Sequence, residues 1–581
     1  MKRLALILCI FLSALCGFAA VYADVEVCER DSFLPESGNC GYDVAKYIID
    51  ASWDDATNIW SVRESIELTS EWDTDEIALD LTNAYTVSAV TLDDAPAEYV
   101  HEGDKLTVKG SFAHDTRYVI YAEFAGQVQR ASIFHDANYN EEHAGEPFCV
   151  LPEPNVAHNL LLVNDHPKDR AYYDITMTVP AKYTAATVGM LTSITEADGT
   201  VVTPGDGYVR EAPDADAEGT VTMRFETREE AVPYNVPWCV GAYEIAQTDW
   251  DNGVVQIDFV DAAREDSEEV RELAARDREY IEFLEHYLGE YPYEEAGSIL
   301  TAVNIGGALE TMGRPTYDPI ECSEPVFIHE LAHQWMGDLM SVKDWSDIWI
   351  KEGFATFAMN LWTLETEGEE AFEAGLRSSY ALVTDTEHYV FPADTIAEYM
   401  GYMNYTDADV LTLADAKSVA GTLCGKGCDT SVLDDAAVDG AIPEEDFWQL
   451  MPRVCDELDF RSEDMDAMIA MLHQSDLLVT IQSQLHAPIG PKEIAANFSG
   501  MYSSAPYQGG SLVYYALLRH LGEETFWNCV RGMLNDYSYS VIGTEEFIDV
   551  FSKYAGKDLT ELITGWLYYD PVPAFPEKVS Q

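Results

Sequence analysis

Positive charge is scarce in this chain: 33 lysines and arginines stand against 104 aspartates and glutamates in 581 residues, a formal net charge of −71. A surface so acidic repels phosphate backbones and anionic lipid, which excludes nucleic acid and acidic membranes as partners. Internal repeats and low-complexity tracts are lacking as well, so a repeat architecture is excluded. Long apolar runs are lacking beyond the start. There, LALILCIFLSALCGFAA follows Lys2 and Arg3 and leads to the small-x-small triplet Val21-Tyr22-Ala23. That is the pattern of a secretory signal peptide over 1–23, too short for a membrane span. A secreted or extracytoplasmic protein is expected, with no integral span after cleavage. Cys16 is preceded by Leu15 rather than by a small residue, which argues against a lipid anchor.

Two of the eleven cysteines fall in that leader. In an exported protein some of the remaining nine should pair. Cys28–Cys40 and a bridge within Cys424, Cys428 and Cys455 are expected, with one thiol of the odd set left over.

From about residue 45 to 245 short alternating or β-branched runs recur (SIELT, EIALDL, TVSAVTL, KLTVKG, RYVIYAEF, YDITMTVP, TVTMRF), separated by Asp, Gly and Pro clusters. Such strands at regular turn spacing predict an antiparallel, saddle- or sandwich-like β domain over 24–245. Near 263 the period changes. Val270, Leu273, Ala274, Ile281, Leu284 and Leu288 fall at helical spacing and the run stops at Gly289. Helices then dominate, among them 325–340, 351–365 and 511–535. The fold class is α+β and multidomain, with a mainly helical second domain over 246–575.

The chemistry lies in FIHELAHQWMGD, residues 327–338. Residues four apart share a helix face, so His329 and His333 can point both imidazoles at one ion. Glu330 sits about 100° round the helix, free to hold a water. H-E-x-x-H is thus a zinc site with a general base beside it. A catalytic zinc takes three protein ligands and keeps one position open. Glu352 in WSDIWIKEGFATF, with eighteen residues between it and His333, supplies the third ligand.

Further motifs surround this core. NDHPKDRAYYDITMTVP, GGALETMG from Gly306, HELAHQW with its spaced EGFAT, YSSAPYQGG at 502–510 and GWLYYDPVP together resemble the gluzincin aminopeptidases, which include aminopeptidase N and leukotriene hydrolase. The resemblance covers nearly all of the chain after the leader, without the family's C-terminal helical domain. It implies a β domain packed on a thermolysin-like zinc domain and one Zn2+ per chain. It also implies peptide substrates with a free N-terminus, from which the enzyme removes terminal residues. By the same resemblance, Glu310 and Glu153 bind the substrate's α-amino group and Gly307 and Ala308 offer backbone hydrogen bonds to the peptide. Tyr507 stabilises the oxyanion, and Tyr502 supports it. Placing that role on Tyr507 requires an insertion at about 395–485, because the family's tyrosine follows the third ligand more closely. Four positions depart from the family: Thr311 for Asn, Leu151 for Gln, Lys351 for Asn and Gly509 for Lys. Thr311 and Leu151 adjoin the amino-terminal pocket. An endopeptidase or other amide hydrolase on the same fold, or a non-catalytic peptide-binding relative, are the alternatives.

Overall fold

The computed structural model describes residues 30–130, 139–384, 388–392, 410–423, 430–438, 440–455, 457–461, 501–568 and 573–576. The expected leader at 1–23 lies outside them. Among the described residues no helix is long and apolar enough to cross a membrane.

The expected strands form. β1 (Tyr42–Asp54), β2 (Ile59–Ser70), β3 (Thr86–Leu92), β4 (Thr116–Gln127), β5 (Tyr172–Pro180), β6 (Met190–Thr195) and β7 (Thr220–Glu226) join two short end strands in one nine-stranded sheet. Its central order is β6-β7-β5-β1-β2-β4-β3. Every pairing is antiparallel except β1 with β5, which run side by side from Lys46 opposite Tyr172. Alternation along β1 turns Tyr47, Ile49, Ala51 and Trp53 inward, which is what a sheet with one buried face demands.

A three-stranded sheet pairs Cys239 directly opposite Cys149 and a disulfide joins them, a bridge the sequence did not suggest. Cys40 and Cys455 are also disulfide-bonded. The cysteines expected as their partners, Cys28, Cys424 and Cys428, lie outside the described residues. Cys322 and Cys529 are free thiols.

A second sheet runs across the expected boundary near 245. β8 (Tyr243–Asp249) pairs antiparallel with β9 (Val255–Asp261), which continues through β10 (Ile299–Leu300) to β12 (Thr316–Tyr317) and, at the edge, β11 (Ala308–Leu309). Two apolar cores result, one centred on the strands and one on the helices. The helical run expected over 263–289 divides into α1 (Ser267–Ala274) and α2 (Asp277–Leu288). The buried Asp277 at the start of α2 accepts a hydrogen bond from Ser298 Oγ at 3.0 Å, so the chain turns inward between the two helices.

The other helices are α3 (Glu324–Ala332), α4 (Trp349–Glu367), α5 (Gly510–Leu521) and α6 (Glu523–Asp536). The run expected at 511–535 divides at Gly522, whose φ of +77° favours glycine and ends α5. In the stretch expected as an insertion at about 395–485, the described strand Glu457–Arg461 pairs antiparallel with His388–Pro392, which precedes that stretch. This ribbon brings residues 392 and 457 together.

Candidate metal centre and its acid cluster

The site forms where α3, α4 and the start of α5 meet the edge of the second sheet. α3 opens with Pro325 in its first turn, where the missing N–H is no loss. His329 and Glu330 follow within the helix and His333 closes it, all three buried. His333 Nδ1 lies 2.9 Å from the Met336 carbonyl. A carbonyl can only accept, so Nδ1 carries the proton and Nε2 keeps its lone pair for the site.

α4 brings Glu352 in from the other side. Its Oε2 stands 3.2 Å from His329 Nε2 and 3.4 Å from His333 Nε2. One donor atom from each of these three residues lies within 4.8 Å of the others. Two imidazole nitrogens and one carboxylate converging this way fit zinc. Burial opposes ionisation of Glu352, but Lys351, His333 and the histidine hydrogen bonds outweigh it and hold its pKa well below the ordinary range. Burial lowers the pKa of His329. It opposes charging of His333 too, where the carboxylates of Glu310 and Glu352 prevail and raise the pKa. Burial, followed by the charges of Glu310 and Glu352, pushes Glu330 well up.

The loop carrying Glu310 is fastened at several points. Thr311 Oγ1 donates to the Arg314 carbonyl at 2.5 Å, so Thr316 Oγ1, 2.8 Å away, donates to Thr311. Gly313 N–H donates to Gln334 Oε1 at 2.7 Å, tying the loop to the segment that carries His333. Arg314, fully buried, donates to the carbonyls of Ile257, Thr187 and Gly189 and pairs with Glu295. Because Thr187 and Gly189 belong to the β-rich part, Arg314 stitches the two cores together behind the site. Gly307 exchanges backbone and side-chain hydrogen bonds with Asp318, and Ala308 pairs with Tyr317 in the edge strand.

Lys351 joins the acids. Its Nζ donates to Glu153 Oε1 at 2.7 Å and to Glu310 Oε1 and Glu352 Oε1 at 2.6 Å each. Tyr234 adds a 3.3 Å hydrogen bond to Glu310 Oε1. Burial raises the pKa of Glu153 to about 7, against the pull of Lys351. Sequence reasoning noted Lys351 only as a departure and missed Tyr234 altogether, since nothing in the local pattern VPYNVP signals a site.

Tyr507 belongs to a wide π-type turn over Ala505–Gly509, immediately before α5, in which Gly509 N–H reaches back to the Ser504 carbonyl. Its ring lies almost parallel to that of His329, with centroids 5.9 Å apart. Tyr502 and Glu153 are close enough for the carboxylate to raise the phenol's pKa, after burial. All the residues expected from the sequence on α3, α4 and the 502–510 segment therefore gather at one place, together with Glu310 and Glu153.

Among characterised proteins the chain is 26% identical over 329 residues to Tricorn protease-interacting factor F2 of Thermoplasma acidophilum. It is 26% identical over 333 residues to leucyl aminopeptidase of Saccharolobus solfataricus. Each match takes in 54% of this chain and 38% of the relative, so the chain spans well under half the length of these proteins. The fold is that of an M1 zinc metallopeptidase from Deinococcus radiodurans, with a TM-score of 0.63 at 20% identity, covering 95% of this chain and 99% of that one. A two-domain M1 zinc metallopeptidase mutant bound to L-arginine gives a TM-score of 0.64 at 20% identity over 94% of this chain and 99% of that one. Residues 273–407 match the peptidase family M1 domain, and the chain has the two-domain fold of M1 zinc metallopeptidases.

Proposed function

We propose that the protein is an exported zinc aminopeptidase, its leader at 1–23 removed, built from a β domain over 24–245 and a peptidase domain over 246–575 with an insertion at about 395–485. The observation that carries this reading is the convergence of His329, His333 and Glu352 within 4.8 Å, with the carboxylates of Glu310 and Glu153 alongside. Those three residues would hold the zinc, one per chain, whose chemistry is to acidify a water and polarise the scissile carbonyl.

The protein's own groups do the rest. Glu330, its pKa raised by burial, takes the water's proton and delivers it to the leaving amine. The Tyr507 hydroxyl donates to the oxyanion as it forms. The edge strand at Ala308–Leu309 offers backbone groups along which an extended peptide can lie. Glu310 and Glu153, with Tyr502 beside them, face the substrate's N-terminal end.

The test is hydrolysis of an N-terminal residue from a short peptide by the zinc-loaded protein, abolished by a chelator and restored by zinc. Failure of purified, zinc-replete protein to cleave any aminoacyl or peptide substrate would refute the reading. One observation favours a second reading, amide hydrolysis that does not need a free α-amine: Lys351 already pairs with both N-terminal acids.

A further inference from the structure

Two of the three residues proposed to hold the metal are oriented from behind. His333 gives Nδ1 to the Met336 carbonyl. Glu352 gives Oε1 to Lys351, whose Nζ donates to it at 2.6 Å, while Oε2 stands 3.2 Å from His329 Nε2 and 3.4 Å from His333 Nε2. The last torsion of a glutamate is broad and roughly two-fold. Nothing in the side chain itself therefore decides whether one oxygen or both turn toward the histidines. The lysine supplies that decision.

Lys351 and Glu352 are neighbours in the first turn of α4, and adjacent helical residues point about 100° apart. Their side chains meet because the lysine head is held where it is. Nζ donates to Glu153 Oε1 at 2.7 Å and to Glu310 Oε1 at 2.6 Å, and the Tyr234 ring centroid lies 5.5 Å from it. Glu153 comes from the β-rich part and Glu310 from the loop before α3, so both domains anchor the ammonium. Lys351 is 1% exposed, so water does not compete for its three hydrogens. Three carboxylates outnumber one ammonium: the lysine orients the acids and does not neutralise them.

We infer that Lys351 is a positioning residue for the metal centre, holding Glu352 Oε1 so that the carboxylate presents Oε2 alone to the metal. This rests on the zinc-peptidase reading and deepens it. A carboxylate bound through both oxygens would take up a second position on the metal, where a catalytic zinc needs room for water or substrate. Lys351 keeps that position open.

The test reads the ligation itself. A crystal structure of the zinc-loaded protein should show Glu352 bound through Oε2 alone, with Lys351 Nζ still on Oε1. Cobalt in place of zinc reports the coordination number in solution, because its visible absorption weakens as ligands are added. In Lys351→Met and in Lys351→Ala that absorption should weaken and shift as Glu352 gains its second bond, and kcat should fall by about tenfold to a hundredfold. Zinc held by both Glu352 oxygens, or Lys351 displaced from Oε1 in the loaded protein, would overturn the inference. So would a folded variant whose cobalt spectrum matches that of the unaltered protein. If neither variant folds, the structure of the zinc-loaded protein still decides. Zinc bound as expected without cleavage of any peptide would refute the peptidase reading and leave the part of Lys351 standing. Folded protein that takes up no zinc would refute both.

Discussion

Gly353 and Gly510 meet backbone to backbone. A Cβ on Gly353 would lie 2.6 Å from the Cα of Gly510, and one on Gly510 would lie 2.7 Å from the Cα of Gly353. This contact draws α4 and α5 together one residue from Glu352 and three from Tyr507. Gly353→Ala should therefore destabilise the protein by about 1–3 kcal/mol. It should also lower kcat by shifting Tyr507 relative to His329. Melting and steady-state rates on the same preparation check this, and an unchanged melting temperature would show that the helices are not held at contact distance.

Glu330 and Glu352 separate the two parts of the zinc chemistry. Glu330→Gln removes the proposed base and leaves every proposed ligand, so kcat should fall by about a hundredfold to ten-thousandfold with zinc content unchanged. Glu352→Ala removes a proposed ligand and should lose the metal on dialysis. Metal analysis beside rate measurement distinguishes them. A Glu330→Gln protein of near-normal rate would place the base elsewhere.

Much of this arrangement could be read from the sequence, for reasons that differ by element. The strands of the large sheet were visible because one face is buried and period-two alternation is then obligatory, as along β1. The convergence of the two candidate metal ligands was visible because helix geometry fixes where His329 and His333 point. The Cys149–Cys239 pair was not, since its members are 90 residues apart and meet only through sheet register. The reach of Lys351 was hidden for the same kind of reason: residues 153, 310 and 352 become neighbours only after the β-rich and helical parts pack. Helix breaks at 275–276 and at Gly522 escaped a reading based on period, because the apolar spacing continues across them.

Glu64 gives the fold a pH dependence away from the metal. It is fully buried, accepts from Leu162 N–H at 2.9 Å, and burial raises its pKa from 4.5 to about 8. Between those values the folded protein holds a proton that the unfolded chain releases. The stabilisation is thus complete below pH 4.5 and is lost as pH rises through about 8. Glu64→Gln, which stays neutral, should flatten this decline and be the more stable form at pH 8 by on the order of 2 kcal/mol. Melting temperatures of the two proteins that change in parallel between pH 4.5 and about 8 would refute this assignment.

Tyr507 carries the most exposed expectation, because its assignment rests on the APYQGG segment. That segment lies far along the chain from Glu352, beyond the stretch expected as an insertion. The phenol's pKa is raised well above 10 by burial and then by the carboxylates of Glu352 and Glu153. The hydroxyl therefore keeps its proton at any pH at which the enzyme would work, as an oxyanion donor must. Its ring is held parallel to that of His329, a candidate ligand. Tyr507→Phe keeps that stack and deletes only the donor. Zinc content and KM should survive while kcat falls about a hundredfold or more, the size of effect seen when one oxyanion donor is removed. A rise in KM with unchanged kcat would instead make Tyr507 a binding residue, and an unchanged rate would move the oxyanion donor to another side chain.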